Sequence, residues 1–142
     1  MPAHGQLHQF TAFKIGEQAV LVSGVPGTGK TSLALAFIDR GATLIGDDGV
    51  CLTPTGGDLI ASPPNETSGL IELRNVGLIS MPVASAPVAL HLSLSANAPR
   101  FIERAFTIEI DGCPIPSLDF TLNGLTDCIR VEHALNLYGR KA

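Results

Sequence analysis

Gly24-Val25-Pro26-Gly27-Thr28-Gly29-Lys30-Thr31 is the stretch whose reading decides the fold. It fits the pattern Gly-x4-Gly-Lys-[Ser/Thr] of a phosphate-binding loop. Such a loop must turn several backbone N–H groups onto one polyphosphate, and side chains at the glycine positions would stand in the way. Lys30 is then placed to reach the β- and γ-phosphates, and the Thr31 hydroxyl to ligate Mg²⁺. A flexible glycine-rich loop with an incidental lysine would look similar in isolation, so the flanks decide. Gln18-Ala19-Val20-Leu21-Val22-Ser23 reads as a short buried strand. Lys30 to Arg40 reads as a helix stopped at Gly41, with Leu33, Ala34, Phe37 and Ile38 on one apolar face. Strand, glycine loop, helix is the context the pattern requires. Gly24, Val25, Pro26, Gly27, Thr28, Gly29, Lys30 and Thr31 are therefore read as the nucleotide-binding element of an α/β fold, a P-loop on a mixed β-sheet.

Working outward, Phe10 to Ile15 and Ala19 to Val22 flank Gly16-Glu17-Gln18, a hairpin that leads straight into the loop. Residues 1–9 are polar and read as a frayed terminus; His4 and His8 have helical spacing but no third metal ligand. Downstream, Thr43-Leu44-Ile45 is a short apolar strand ending in Gly46-Asp47-Asp48. A carboxylate pair at that strand end is where a Mg²⁺ ligand or a general base belongs, although Asp-Asp-Gly is also good turn chemistry. Val50 to Thr53 and Leu59 to Ala61 bracket a second hairpin, which makes the sheet mixed and not wholly parallel. Ser62 to Gly69, with Pro63 and Pro64, is a stiff loop that either borders a cleft or joins strands. In Leu70-Ile71-Glu72-Leu73-Arg74 a single carboxylate sits within an apolar run, where it needs a partner, a metal or Arg74.

Val88, Leu90, Leu92 and Leu94 alternate with Ala89, His91, Ser93 and Ser95 as in a strand with one buried face, which puts His91 on the surface. Arg100 and Arg104 precede a strand at Phe106 to Ile110, and Asp111-Gly112 turns the chain into another at Cys113 to Phe120. Asp127 to Leu137 is a closing amphipathic helix capped by Thr126 or Asp127, with Cys128, Val131, Leu135 and Tyr138 on its apolar side.

The 142 residues suit one domain, 1–142, with a single core. A net charge of −4 and the lack of a Lys/Arg cluster argue against nucleic acid. No apolar run is long enough to span a bilayer and no leader-like segment opens the chain, so the expectation is a cytoplasmic protein without a membrane partner. With 45% hydrophobic and only 15% charged residues, part of the surface is expected to be covered by other copies, as in a homo-oligomer. Cys51, Cys113 and Cys128 are odd in number, lack metal spacing, and read as reduced structural residues.

Taken in order, the glycine loop, Arg40-Gly41 leading through an apolar strand into Asp47-Asp48, the run Ile71-Glu72-Leu73-Arg74-Asn75-Val76-Gly77-Leu78-Ile79, and the segment at Arg100 resemble the catalytic domain of HPr kinase/phosphorylase, in its short alphaproteobacterial form. The resemblance covers roughly residues 9–137. It implies a fold of the phosphoenolpyruvate-carboxykinase type and an ATP-dependent kinase acting on a serine of an HPr-like phosphocarrier protein of a regulatory phosphotransferase system. It further implies that Gly24 to Thr31 hold ATP, that Thr31 and Glu72 ligate Mg²⁺, and that Asp48 is the general base. Asp47 would support the metal or orient Asp48, and Arg100 would stabilise charge on the transferring group. Departures from the family pattern are Gln9 where a histidine is expected, with His8 one place away, Asn75-Val76 in place of Gly-Leu, and Thr31 in place of Ser. The basic loop and C-terminal extension linked to phosphorolysis and hexamers find no match in Pro116 to Asp127, and the amino-terminal domain of longer members is absent. Alternatives are a nucleotide-sensing module of this fold without transfer, and a generic P-loop NTPase or small-molecule kinase.

Overall fold

A computed structural model describes residues 5–64 and 69–141. His4 and the middle of the Ser62 to Gly69 loop, Asn65 to Ser68, lie outside the described residues. The elements run β1 (Gln6–His8), β2 (Thr11–Ile15), β3 (Gln18–Ser23), α1 (Lys30–Asp39), β4 (Thr43–Gly46), β5 (Val50–Thr55), β6 (Asp58–Ser62), β7 (Leu70–Leu73), β8 (Gly77–Ser80), β9 (Ala86–Leu94), β10 (Phe106–Ile110), β11 (Cys113–Phe120) and α2 (Asp127–Tyr138).

The hub of this mixed α/β fold is β9, nine residues long. Along one edge it pairs in parallel with β3. Its other edge is shared: Ala86 and Pro87 pair antiparallel with β6, and His91 to Leu94 pair in parallel with β11. The main sheet therefore branches at β9, with β1-β5-β6 leading in on one side, β3-β2-β4 leading out on the other, and β10-β11 as the branch. Because β3, β9 and β11 run in parallel, the loops that follow them open at one end of the sheet. The glycine loop is one of these.

Both faces of the central strands are buried. On the helix side, Phe13, Val20, Val22, Leu90, Leu92, Leu94 and Phe120 pack with Leu33, Phe37, Val131 and Leu135 of α1 and α2. Phe37 stacks on Phe13 with centroids 4.7 Å apart, and burying a side chain of this size contributes about 2–3 kcal/mol to holding α1 on the sheet. On the far side, Ala19, Leu21, Leu52, Leu59, Val88 and Ile115 form a second cluster, roofed by the curl of β5, β6 and β10.

Several expectations change here. Val88 does not share a face with Leu90, Leu92 and Leu94: the β3/β9 register passes from Ala19↔Val88 to Val20↔Leu90, so Ala89 is an extra residue and the parity flips. His91 is not a surface residue but 6% exposed. Its Nε2 lies 2.7 Å from the Ser23 hydroxyl on β3 and its Nδ1 2.7 Å from the Ser117 hydroxyl on β11, so it spans three parallel strands. Desolvation lowers its pKa to about 4, against a smaller opposing pull from Asp119. At the N-terminus, residues 6–8 are not frayed but form the edge strand β1, paired antiparallel with β5. His8 there places its Nε2 2.9 Å from the Asp111 carboxylate and stacks on Phe10.

Candidate functional site

The glycine loop leaves β3 at Ser23 and enters α1 at Lys30. Gly29, the residue before the helix, has φ 102, and a Cβ there would also lie 2.8 Å from the Leu122 side chain, so both backbone and packing demand glycine. The first N–H groups of α1 have no acceptor within the helix and face the loop with the positive end of the helix dipole. Lys30 folds back over the loop, its Nζ donating to the Gly24 carbonyl at 2.8 Å and standing 3.9 Å from the Asp48 carboxylate.

The carboxylates are brought to the loop by the turn after β4. Gly46 is needed there because a Cβ would collide with the Gly49 carbonyl oxygen. Asp47 points inward and accepts from the Thr31 hydroxyl at 2.8 Å and from the Thr11 hydroxyl at 3.2 Å. Asp48 takes the left-handed conformation, φ 58, and its side chain is 67% exposed. Thr11, fully buried on β2, was not singled out by sequence: its hydroxyl also accepts from the Asp48 backbone N–H at 3.1 Å, so one side chain sets both aspartates. A threonine at the start of an apolar strand gives no pattern that would flag it. Thr11→Val is expected to lose about 1–3 kcal/mol of stability and to leave the Asp47 carboxylate held by the Thr31 hydroxyl alone, whereas Thr11→Ser retains both bonds. Urea unfolding of the two variants checks this.

The opposite wall is the separate hairpin of β7 and β8. Its turn is closed by Val76 N–H to the Leu73 carbonyl, 3.0 Å, with Asn75 at φ 67. That left-handed position suits glycine best and asparagine next, which accounts physically for Asn75 where glycine was expected. Between the walls lies a cleft of about 580 Å³ lined by Gly27, Gly29, Lys30, Thr31, Asp47 and Glu72, among others. Glu72 is exposed to this cleft and not embedded in an apolar run, so it needs no charge partner. The oxygen donors Thr31, Asp47 and Glu72 suit a hard cation such as Mg²⁺, which is held by few carboxylates together with phosphate oxygens. Among the described residues, no group of three or more His, Cys, Asp or Glu is placed to hold a metal ion by itself.

Of the remaining expected site residues, Val25 and Pro26 are exposed at the tip of the loop, while the Thr28 hydroxyl is tied to the Val25 carbonyl at 2.8 Å. Arg100 is exposed on the segment after β9 and is not among the residues lining the cleft. Leu122, which touches Gly29, is held by the cap of α2: Asp127 accepts from the N–H groups of Asn123 at 2.7 Å and Gly124 at 2.9 Å. Burial alone would raise the Asp127 carboxyl, but these bonds and the Arg130 guanidinium outweigh it and hold it below the usual carboxylate value.

Residues 3–84 match the family model for the HPr serine kinase C-terminal domain, more than half of the sequence. The chain belongs to this family. HPr kinase/phosphorylase from Clostridium tetani is 43% identical over 63 residues, 44% of this chain and 21% of that protein. Its counterpart from Clostridium botulinum is 42% identical over 62 residues, 44% of this chain and 20% of that protein. The matched region thus spans about a fifth of these curated relatives. The fold compares more fully with the HPr(Ser) kinase/phosphatase from Coxiella burnetii: TM-score 0.80 and 27% identity, over 92% of this chain and 88% of that one. The HPr kinase C-terminal fold therefore extends past residue 84 through β9, β10, β11 and α2. No helix among the described residues is long and apolar enough to cross a membrane.

Proposed function

We propose that residues 1–142 act as one P-loop catalytic domain of the phosphoenolpyruvate-carboxykinase-like type, a cytoplasmic ATP-dependent kinase that phosphorylates a serine of an HPr-like phosphocarrier. The observation that carries this reading is the convergence at the foot of the glycine loop. There Thr31 and Asp47 are hydrogen-bonded at 2.8 Å, and Lys30 lies 3.9 Å from Asp48. Family membership and the Coxiella burnetii likeness support the choice of protein acceptor over a small molecule.

In this reading the backbone N–H groups of Gly27 to Thr31 and the Lys30 ammonium hold the phosphate chain of ATP. Thr31, Asp47 and Glu72 hold Mg²⁺, which when bound neutralises charge on the β- and γ-phosphates. Asp48, on the solvent side of Lys30, accepts the proton of the serine hydroxyl as its oxygen attacks phosphorus; the bond to the leaving ADP oxygen breaks. Its exposure suits a base that must meet a group on another protein. The partly apolar surface, with Leu125 at 98% and Phe101 at 79% exposed, is compatible with that partner or with further copies of the chain.

The test is incubation of purified protein with Mg-ATP and an HPr-like carrier, with phosphate on the carrier serine read by mass spectrometry, alongside Lys30→Ala. Transfer by the wild type and loss of at least about 10²-fold in the variant are expected. ATP binding without transfer would favour a nucleotide sensor; turnover indifferent to the carrier would favour a free-standing NTPase.

A further inference from the structure

We infer that His91 is a positioning residue for the glycine loop: through the Ser23 hydroxyl it fixes the point where the loop leaves β3, and with it the loop's affinity for phosphate. This rests on the nucleotide reading above and deepens it.

His91 reaches the loop from the face of the sheet that the helices do not cover. It pairs with Leu21 across the parallel β3/β9 ladder, so its side chain lies on the same face as the second apolar cluster. Ser23 is the last residue of β3 and the last rung of that ladder. It lies two places further along the same face, and its hydroxyl stands 2.7 Å from His91 Nε2. The next residue is Gly24, the first of the loop, and it is gripped from the opposite face. A Cβ there would stand 3.2 Å from the Cβ of Leu94, also on β9, and the Gly24 carbonyl carries Lys30 Nζ at 2.8 Å. The loop thus leaves the sheet between two contacts to one strand, one polar and one apolar.

His91 also touches the other arm of the site. Phe10 sets its ring across the imidazole, centroids 5.5 Å apart and planes at 71°, and the next residue, Thr11, holds Asp47 and Asp48.

Packing does not call for a histidine here. Leu21 and Ile115 on this face are fully buried and apolar, and a buried ring with two polar nitrogens costs free energy unless both are bonded. Desolvation keeps the ring neutral at pH 7, so it offers one donor and one acceptor, and Ser23 and Ser117 take one each. Such a network adds little net stability, but bonds of fixed direction admit one arrangement where apolar contacts admit several. A loop already held in its binding geometry loses less freedom when a phosphate chain settles on it, and binds more tightly for that reason.

Calorimetric titration of the full chain with Mg-ADP, paired with urea unfolding of the same preparations, tests this. Ser23→Ala and Ser117→Ala each remove one bond to the same ring, so their losses of stability should be alike, but only Ser23 adjoins the loop. Ser23→Ala is expected to weaken Mg-ADP binding by about tenfold and Ser117→Ala by less than about twofold. Ser23→Thr, which restores the hydroxyl, should recover most of the affinity. His91→Leu should weaken binding as much as Ser23→Ala, and combining the two should add nothing further. Wild-type affinity in Ser23→Ala, equal losses in the two alanine variants, or a Ser23→Thr that binds no better than Ser23→Ala would each reduce the network to a structural role and overturn the inference. A wild type that binds no nucleotide overturns the nucleotide reading itself. Where His91→Leu or Ser117→Ala does not fold, the pair Ser23→Ala and Ser23→Thr decides by itself.

Discussion

Asp48→Asn is expected to lower phosphoryl transfer to the carrier serine by about 10²–10⁴-fold, the range that removal of a general base produces. The substitution is a clean one for a structural reason. Asp48 sits at φ 58, a conformation that asparagine adopts as readily as aspartate, so the turn after β4 and its bond to Thr11 should persist. Alanine would add backbone strain and blur the result. Because the Asp48 carboxylate is 67% exposed and 3.9 Å from Lys30, its loss removes a weak competitor for the lysine. Mg-ATP affinity should therefore stay within about threefold of wild type, or rise slightly. Carrier phosphorylation and nucleotide titration on the same preparations separate the two effects. A variant that kept a tenth of the wild-type rate would place the base elsewhere.

The second large effect concerns acid stability. His91 titrates at about 4 in the folded chain, chiefly because burial disfavours the imidazolium, against an ordinary value of 6.5. Between these values the unfolded state binds more protons than the folded one. Stability is therefore full above pH 6.5 and is lost as pH falls toward 4, by about 3 kcal/mol at the lower end. Urea unfolding at stepwise pH should show that slope in wild type. His91→Gln, which offers one donor and one acceptor to Ser23 and Ser117, should flatten it while keeping most of the stability at pH 7.5. Subtracting the two curves isolates the contribution of residue 91. If both fall in parallel, His91 is not the group responsible. At neutral pH, His91→Leu should be the harsher change, since it leaves two hydroxyls without their partner at a cost of about 1–3 kcal/mol each when buried.

How much of this was legible beforehand depended on whether the signal was local. β2, β3, α1 and α2 were read with nearly their observed bounds because their apolar spacing follows the period of the element. Asp47 and Asp48 were found because a strand end beside a glycine loop narrows what a carboxylate pair is for. β1 escaped because three residues, two of them exposed, carry no period, and its reason for forming is the distant edge of β5. β8 was missed for a similar cause: it is mostly exposed and pairs only with β7. His91 was misjudged because alternation tells which residues share a face, not whether the second face is covered, and the cover comes from elsewhere in the chain. Thr11 belongs to the site through long-range folding that no local pattern encodes, whereas Arg100 enters the expected site by resemblance alone.

The branching of the sheet at β9 has a consequence for the order in which the molecule is made. The glycine loop, both aspartates and Glu72 have all been synthesised by residue 84, yet the strand that supports β3 begins only at Ala86 and its second neighbour, β11, ends at Phe120. A nascent chain carrying every proposed catalytic group thus still lacks its central strand, and β3 must wait with an unpaired apolar edge for a partner more than sixty residues away. The residues that match the family model end at that boundary, so the segment richest in recognisable chemistry is one that lacks the sheet needed to hold it in place.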